Sequence, residues 1–159
     1  MNPEVKQDIV DHLSKILEHE LSGVIRYTHY SFMVFGYSRI PIVSWLRSSA
    51  EETLLHAHRA GELITNLGAC PSLGIGKMVE SFDTDIGDIL RQSLAYERAG
   101  VDMYFDLLKK VQQQAEVEST PELVMLEEYA LELVYEEQQH VGDLDKMLRK
   151  PGTVKSVVE

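Results

Sequence analysis

The chain has 159 residues, of which 44% are hydrophobic, and 15 Lys and Arg residues stand against 26 Asp and Glu residues. This length and composition fit one folded domain with a sizeable core and argue against a disordered chain. The formal net charge of −11 argues against a nucleic-acid partner and against docking on an anionic membrane, since both need clustered Lys and Arg. The same charge is compatible with a protein that attracts cations.

Targeting and cysteine signals narrow the class of protein further. No run approaches about 18 consecutive apolar residues, so we expect no membrane span. Residues 1–15 lack a basic segment followed by an apolar one, so we expect no signal peptide. Cys70 is the only cysteine, which excludes an intrachain disulfide and a thiolate zinc site. We therefore expect a cytoplasmic protein in which any metal site uses carboxylates and imidazoles.

Four long segments have the apolar spacing that is typical of amphipathic helices, and no segment alternates like a strand. In chain order they cover about residues 3–35, 41–67, 84–115 and 120–149. Thr120 is predicted to cap the fourth helix, because threonine is a favoured residue at helix N-termini. Four such helices predict an all-α four-helix bundle.

The loops between these helices indicate how the helices are arranged. The first and third connections are short, so each joins an antiparallel pair. The second connection, residues 68–83, can span about 3.3 Å per residue when extended. That reach is enough to run back along a helix of this length, which rises by about 1.5 Å per residue. We therefore predict two antiparallel hairpins joined by one long crossover.

Ionisable residues interrupt the apolar face of every predicted helix near its middle. These are Glu20 in the first helix, His56 in the second, Glu97 in the third, and Glu137 with His140 in the fourth. A lone buried carboxylate would cost several kcal/mol and would protonate instead. Divalent cations such as iron, manganese or zinc explain all of these residues together, because carboxylates and imidazoles are their common ligands. The spacing alone implies a dimetal site and not a particular reaction.

The motifs around these residues resemble those of bacterioferritins and related ferritin-like di-iron carboxylate proteins, along about residues 5–150. The first helix carries LEHELSGVIRYTHY, the second AEETLLHAHRAGELITNLGACPSL, the third LAYERAGVDMY and the fourth YEEQQHVGDLDKML. In the last of these, Glu137 and His140 match the Glu-x-x-His pair of the family. The resemblance implies a ferritin-like bundle over residues 1–152, and residues 153–159 are predicted to be a short flexible tail.

The resemblance also implies a ligand set and an activity. The metal and catalytic residues it predicts are Glu20, Glu52, His56, Glu97, Glu137 and His140. Glu97 and Glu52 would be shared by two iron ions per chain, and Tyr27 would support the site from behind the ligands. The implied reaction is oxidation of Fe(II) by O₂ or peroxide, for iron storage or detoxification. Two alternatives stay open, namely a peroxide-reducing or small-substrate oxidase of the rubrerythrin type, and a bundle that uses metal for stability only.

The second helix departs from the family pattern near His56. Thr53 stands three residues before this histidine, where the family has a glutamate, and the nearest carboxylate is Glu52. Residues four apart on a regular helix differ by about 40°, so Glu52 could still face the site. A π-bulge between Glu52 and His56 would also restore the usual geometry. Glu136 and three other histidines, His19, His29 and His58, are expected in solvent or near the surface.

Two further departures concern haem and assembly. Bacterioferritins bind haem through a methionine two residues before the ligand histidine of the second helix, and here that residue is Leu54, so no haem is expected. Cage-forming bacterioferritins add a fifth helix, and here only residues 150–159 follow the fourth, so no fifth helix is predicted. Apolar residues near the end of the first helix are expected to be exposed and to mediate at least a homodimer, namely Tyr30, Met33, Val34 and Phe35.

Overall fold

A computed structural model describes residues 1–158 of the chain. Within that range the protein forms four α-helices and no strand: α1 Pro3–Phe32, α2 Arg39–Asn66, α3 Ile86–Ala115 and α4 Pro121–Leu148. The predicted all-α, ferritin-like four-helix bundle is confirmed. The last residue of the predicted tail 153–159, Glu159, lies outside the described residues.

Side chains cap three of the four helices at their N-termini. Asn2, Asp85 and Thr120 each accept a hydrogen bond from a backbone N–H two or three residues later, at 2.9, 3.0 and 3.3 Å. Proline follows Asn2 and Thr120, at a position where a missing N–H costs no helical hydrogen bond. The sequence predicted the beginning of α4 correctly for this reason.

The turn between α1 and α2 differs from the prediction. α1 ends at Phe32 and not at residue 35, and α2 begins at Arg39, two residues earlier than expected. The guanidinium of Arg39 donates to the carbonyl of Val34 at 2.6 Å, and Gly36 has a φ of 92°, which reverses the chain. Pro41 therefore lies within the first turn of α2, where its missing N–H is tolerated.

The helices pack as two hairpins. α1 lies along α2, α3 lies along α4, and the hairpins meet chiefly through α1 and α3. The long connection between α2 and α3 contacts α1, where the N–H of Gly76 donates to the carbonyl of Glu18 at 2.8 Å. This is the predicted topology of two antiparallel pairs joined by a crossover.

Buried apolar side chains form two separate clusters along the bundle. The larger cluster is built from Ile9–Leu17 of α1, Ala57–Leu67 of α2 and its C-cap, Tyr104–Val111 of α3 and Leu123–Leu133 of α4. The smaller cluster contains Tyr27, Tyr30, Val34, Val43, Leu46, Ala50, Ile89 and Tyr96. Buried polar residues, including Glu20, His56 and Glu97, lie between these clusters in the sequence of their helices. The core is thus interrupted by a polar layer.

The surface near the α1–α2 turn is apolar, although not through all of the predicted residues. Tyr30 and Val34 are fully buried, so the prediction that they are exposed is wrong, because both pack into the smaller core cluster. Phe35 is exposed as predicted, together with Phe32, Tyr37 and Ile40. None of the four helices in residues 1–158 combines the length and hydropathy that a bilayer crossing would need.

Candidate metal centre

Five of the six predicted ligands meet inside the bundle. Their oxygen and nitrogen atoms form two groups of three, and the three atoms of each group all lie within 4.8 Å of one another. Glu20 and His56 belong to the first group, Glu97 and His140 to the second, and Glu137 to both. Glu137 is therefore the residue common to both groups, and the resemblance implied Glu97 and Glu52 as the carboxylates that two ions would share.

His56 is held from behind in the orientation that a metal ligand needs. Its Nε2 donates to Glu136 Oε2 at 3.1 Å. Its Nδ1 faces the carboxylates of Glu137, at 2.9 Å, and Glu20, at 3.8 Å, and this buried nitrogen has no hydrogen-bond partner. Proteins commonly fix a metal-binding histidine through a carboxylate on its outer nitrogen. Glu136, which was expected in solvent or near the surface, is 31% exposed and also contacts His56 and Arg59 of α2.

Glu52 contacts the outer nitrogen of His140, as Glu136 contacts that of His56. Its Oε2 lies 3.3 Å from Nε2 of His140, and its side chain is 47% exposed. The Nδ1 of His140 faces inward, 3.6 Å from Glu97 and 3.7 Å from Glu137. The structure therefore does not bring Glu52 into either group of three, and places it at the rim of the centre.

α2 and α4 repeat each other except at one position. Each carries an inward histidine and, four residues earlier, a carboxylate that contacts the histidine of the other helix. Three residues before its histidine, α4 has Glu137 and α2 has Thr53, which is 6% exposed. α2 is a regular α-helix through this region, so the π-bulge is not formed. Thr53 therefore stands at the position in α2 that corresponds to Glu137 in α4.

α1 and α3 support the centre through two reciprocal hydrogen bonds. The hydroxyl of Tyr27 on α1 donates to Glu97 on α3. The hydroxyl of Tyr104 on α3 donates to Glu20 on α1 at 2.6 Å. Tyr27 was predicted to support the ligands and Tyr104 was not. The signal that could have found Tyr104 is the repeated spacing, because each tyrosine follows a glutamate of the centre by seven residues on its own helix.

Burial shifts the pKa values of the centre strongly. Burial raises the pKa of Glu20 and of Glu97 to about 8. Burial acts in the same direction on Glu137, but the imidazoles of His140 and His56 outweigh it and hold the pKa of this carboxyl well below its usual range. Burial lowers the pKa of each histidine, yet the neighbouring Glu137 carboxylate outweighs it, so the pKa rises to about 8 for His56 and about 11 for His140. Protons thus occupy the cluster in the absence of a cation.

These residues fit a pair of divalent metal ions. Glu20, Glu97 and Glu137 are each 3% exposed, and three carboxylates in one dry interior need positive charge. Three carboxylates with two imidazoles are a ligand set for iron, manganese or zinc. The Nδ1 of His56, which lies 2.9 Å from Glu137, offers a lone pair to a metal ion once its proton is displaced. The two groups that share Glu137 provide two adjoining sites.

A cavity of about 300 Å³ adjoins the second group. It lies between α2 and α4, and its lining consists of Trp45, Ser48, Ser49, Glu52, Glu97, Gln139, His140 and Asp143. The side chain of His140 is 25% exposed, so the second group is the more accessible of the two. An acidic opening of this kind favours the entry of cations.

His19 is more enclosed than the sequence suggested. Its ring stacks on Tyr96, with centroids 4.2 Å apart and planes 8° from parallel. Burial lowers the pKa of His19 to about 4. The prediction of a loosely packed surface residue is wrong because Tyr96 covers the ring from α3, a contact that the pattern of α1 alone does not contain. His58 is exposed, as predicted.

The comparisons with known proteins agree with this architecture. A family model described as "Ferritin: Ferritin-like domain" matches residues 10–151. A Bacillus anthracis protein described as ferritin-like and diiron-carboxylate has 22% identity and a TM-score of 0.80, over 94% of this chain and 100% of that one. Desulfovibrio desulfuricans bacterioferritin has 22% identity and a TM-score of 0.75, over 91% and 80% of the two chains.

A third similar structure is described as an oligomer. A protein from Bacteroides fragilis described as a dodecameric thioferritin has 20% identity and a TM-score of 0.75, over 90% of this chain and 85% of that one. Among curated proteins no match was found. At these identities the solved structures establish the shared fold.

Proposed function

Because the chain belongs to the ferritin-like domain family, we propose that its central cluster binds two Fe(II) ions and oxidises them with O₂ or peroxide, for iron storage or detoxification. The observation that carries the proposal is the pair of three-residue groups that share the buried Glu137. Glu20 and His56 would hold one ion and Glu97 and His140 the other. Structures of a diiron-carboxylate protein and of a bacterioferritin with the same fold support iron as the metal.

The chain's own residues have three tasks in this reaction. They set the distance between the two ions, because Glu137 would contact both. They exclude water, since every carboxylate among the five residues is buried. They also release protons when cations enter, because the metal-free cluster holds protons on its carboxyls and imidazoles. Two Fe(II) ions supply two electrons, which together with two protons reduce one peroxide molecule to two water molecules.

The test is an anaerobic Fe(II) titration followed by addition of O₂ or peroxide. We expect binding that saturates near two ions per chain, and oxidation faster than in buffer. Glu137→Gln should lose both properties, because it removes charge from both sites at once. The matched control is Glu128→Gln on the exposed face of the same helix, which should behave like the wild type.

Each other outcome supports a different function. Turnover with peroxide but not with O₂ would favour a peroxide-reducing enzyme. Metal binding that raises the melting temperature, with oxidation at the buffer rate, would favour a bundle that uses metal for stability only. Binding of no more than one ion per chain would contradict the two-iron centre itself.

We also propose that the chain assembles into at least a homodimer through the exposed apolar residues of the α1–α2 turn. Phe32 and Phe35 are 58% and 63% exposed, and Ile40 is 83% exposed. An apolar patch of this kind commonly marks an interface. Light scattering at micromolar concentration should show a dimer or larger species. Phe35→Asp should weaken it, and Leu73→Asp in the exposed crossover should not; a monomeric wild type would contradict the proposal.

A further inference from the structure

Arg59 on α2 lies behind the first group of the candidate metal centre. Its Nη2 donates to Oε2 of Glu132 at 2.5 Å, and its Nη1 lies 3.8 Å from Oε2 of Glu136. The same oxygen of Glu136 accepts a hydrogen bond from Nε2 of His56 at 3.1 Å. One guanidinium and one imidazole of the centre therefore share a carboxylate oxygen.

A second set of contacts connects Arg59 with the same group. Its guanidinium lies 5.4 Å from the ring centroid of Tyr129. That ring packs edge-on against Tyr104, with centroids 5.9 Å apart, and the hydroxyl of Tyr104 donates to Glu20. Arg59 thus stands behind both residues that belong to the first group alone, which are Glu20 and His56.

The second group has no cation in the corresponding place. Its outer carboxylate, Glu52, lies 3.3 Å from Nε2 of His140, and no Lys or Arg in residues 1–158 forms an ion pair with Glu52. Three residues after its histidine, α2 has Arg59, whereas α4 has Asp143. The two supporting carboxylates are therefore unequal, because a guanidinium shares Glu136 and none shares Glu52.

This inequality bears on how strongly each histidine binds a cation. A carboxylate on the outer nitrogen makes a histidine a stronger metal ligand, since negative charge behind the ring favours positive charge in front of it. A guanidinium on that carboxylate offsets part of the effect. His140 should therefore be a stronger ligand than His56. The second group also adjoins the cavity of about 300 Å³, so entering cations reach it first.

We propose that the two metal ions bind in a fixed order, which Arg59 determines. The tighter ion binds at the second group, on the side of the cavity. The other ion then completes the first group, where the charge of Arg59 weakens its binding. This inference rests on the proposed two-ion centre, and it adds the order of binding and the residue that determines it.

Calorimetric titration of the metal-free protein with Mn(II) at low ionic strength tests the order. In the wild type we expect two steps of different affinity, with one ion per chain in each. His140→Gln should abolish the tighter step, whereas His56→Gln should keep the tighter step and abolish the weaker one. The reverse pattern, or two steps of equal affinity in the wild type, would overturn the proposal.

Variants of Arg59 test whether its charge sets the difference. Arg59→Gln should strengthen the weaker step about tenfold and leave the tighter step unchanged, because one positive charge near a divalent ion changes its affinity by an amount of this order. Arg59→Lys keeps the charge and should behave like the wild type. Arg91→Gln is the matched control, since Arg91 also pairs with a carboxylate, Asp88, and belongs to neither group.

The same titrations separate this inference from the proposed function. If Arg59→Gln weakens the second step or leaves it unchanged, the charge of Arg59 does not determine the order and the inference fails. Binding of one ion or none by the wild type would overturn the two-iron centre together with the order. Two ions that bind without the expected order would overturn the order alone.

Discussion

At the residue scale, Thr53 makes the two halves of the candidate metal centre unequal. Glu20, Glu97 and Glu137 supply three negative charges, against four positive charges on two divalent ions. A glutamate at position 53 would balance this charge, and threonine does not. We therefore expect two Fe(II) ions to bind in two steps of different affinity, because the second ion enters a site that the first has already made positive.

Thr53→Glu should raise the affinity for the second ion at least about tenfold, by supplying a second shared carboxylate. The same change should destabilise the metal-free protein by several kcal/mol, because it buries another carboxylate in a position that is 6% exposed. Metal titrations and urea unfolding, each with and without Mn(II), measure these effects. Glu51→Gln is the neighbouring control and should change the affinity little, since Glu51 is exposed and belongs to neither group of three. If Thr53→Glu leaves the affinity for the second ion unchanged, Thr53 does not face the centre.

Tyr104→Phe tests the hydrogen bonds that support the ligands. This change removes the hydroxyl that donates to Glu20 at 2.6 Å and leaves the ring in the core. The loss should weaken metal binding about tenfold or more, corresponding to about 1–3 kcal/mol for a hydrogen bond to a charged group. Tyr135→Phe on the exposed face of α4 should have no effect. If both variants bind metal like the wild type, the hydroxyl of Tyr104 does not orient its ligand.

Sequence patterns predicted side chains that interrupt an apolar helix face, and they did not predict contacts between helices. Glu20, Glu97 and Glu137 were found because a carboxylate on such a face demands compensation. Glu52 and Glu136 could not be placed in this way. Each lies one residue from the inward position of its own helix, and its role depends on the histidine of the other helix.

At the element scale, the crossover depends on glycines that let it approach α1 closely. A β-carbon on Gly76 would lie 2.9 Å from the carbonyl oxygen of Glu18 and 3.1 Å from the α-carbon of His19. These neighbours are backbone atoms of a helix and cannot move away easily. The crossover thus packs directly on the turn of α1 that carries Glu20.

Gly76→Ala should therefore destabilise the protein by about 1–3 kcal/mol, because the crossover must shift away from α1. Gly61→Ala is the matched control: nothing lies within 4 Å of its β-carbon position, and alanine favours a helix by about 0.5–1 kcal/mol over glycine. Urea unfolding should show a lower free energy of unfolding for Gly76→Ala and a higher one for Gly61→Ala than for the wild type. A Gly76→Ala protein as stable as the wild type would mean that the crossover adjusts without cost.

The ends of the helices could be predicted where neighbouring residues determine them, and could not be predicted where residues of another helix do. Helix starts with a side-chain cap and a following proline, such as Thr120, could be predicted because all of the interactions lie within four residues. The end of α1 could not, because Arg39 of the next helix donates to the Val34 carbonyl and fixes the turn. The long crossover was predictable from its length, whereas its contacts with α1 were not.

At the scale of the whole molecule, the metal centre separates the hydrophobic core into two clusters. The fold therefore carries ionisable groups where a simple bundle would place apolar contacts. Those groups stabilise the fold less than packed apolar side chains would, unless protons or cations neutralise their charge. The stability of the metal-free protein should consequently depend on pH to an unusual degree.

The sign of this dependence follows from the direction of the pKa shifts. Folding raises the pKa of Glu20 and Glu97 from 4.5 to about 8, and that of His56 from 6.5 to about 8. The folded state therefore binds more protons than the unfolded state over this range, so the free energy of unfolding falls as the pH rises from about 5.5 to about 8. Glu137 acts in the opposite direction, because its lowered pKa costs stability only as the pH falls below its ordinary value of 4.5.

Urea unfolding of the metal-free protein should show this fall as a loss of several kcal/mol between about pH 5.5 and about pH 8. Saturating Mn(II) should reduce or reverse the fall, because the cation replaces protons that leave as the pH rises. Glu20→Gln removes one of the carboxyl groups whose pKa is raised. The free energy of unfolding of this metal-free variant should therefore fall less steeply as the pH rises. A metal-free protein whose stability is flat or rises over this range would mean that the cluster is hydrated, and buried charge would then no longer be the reason for expecting metal there.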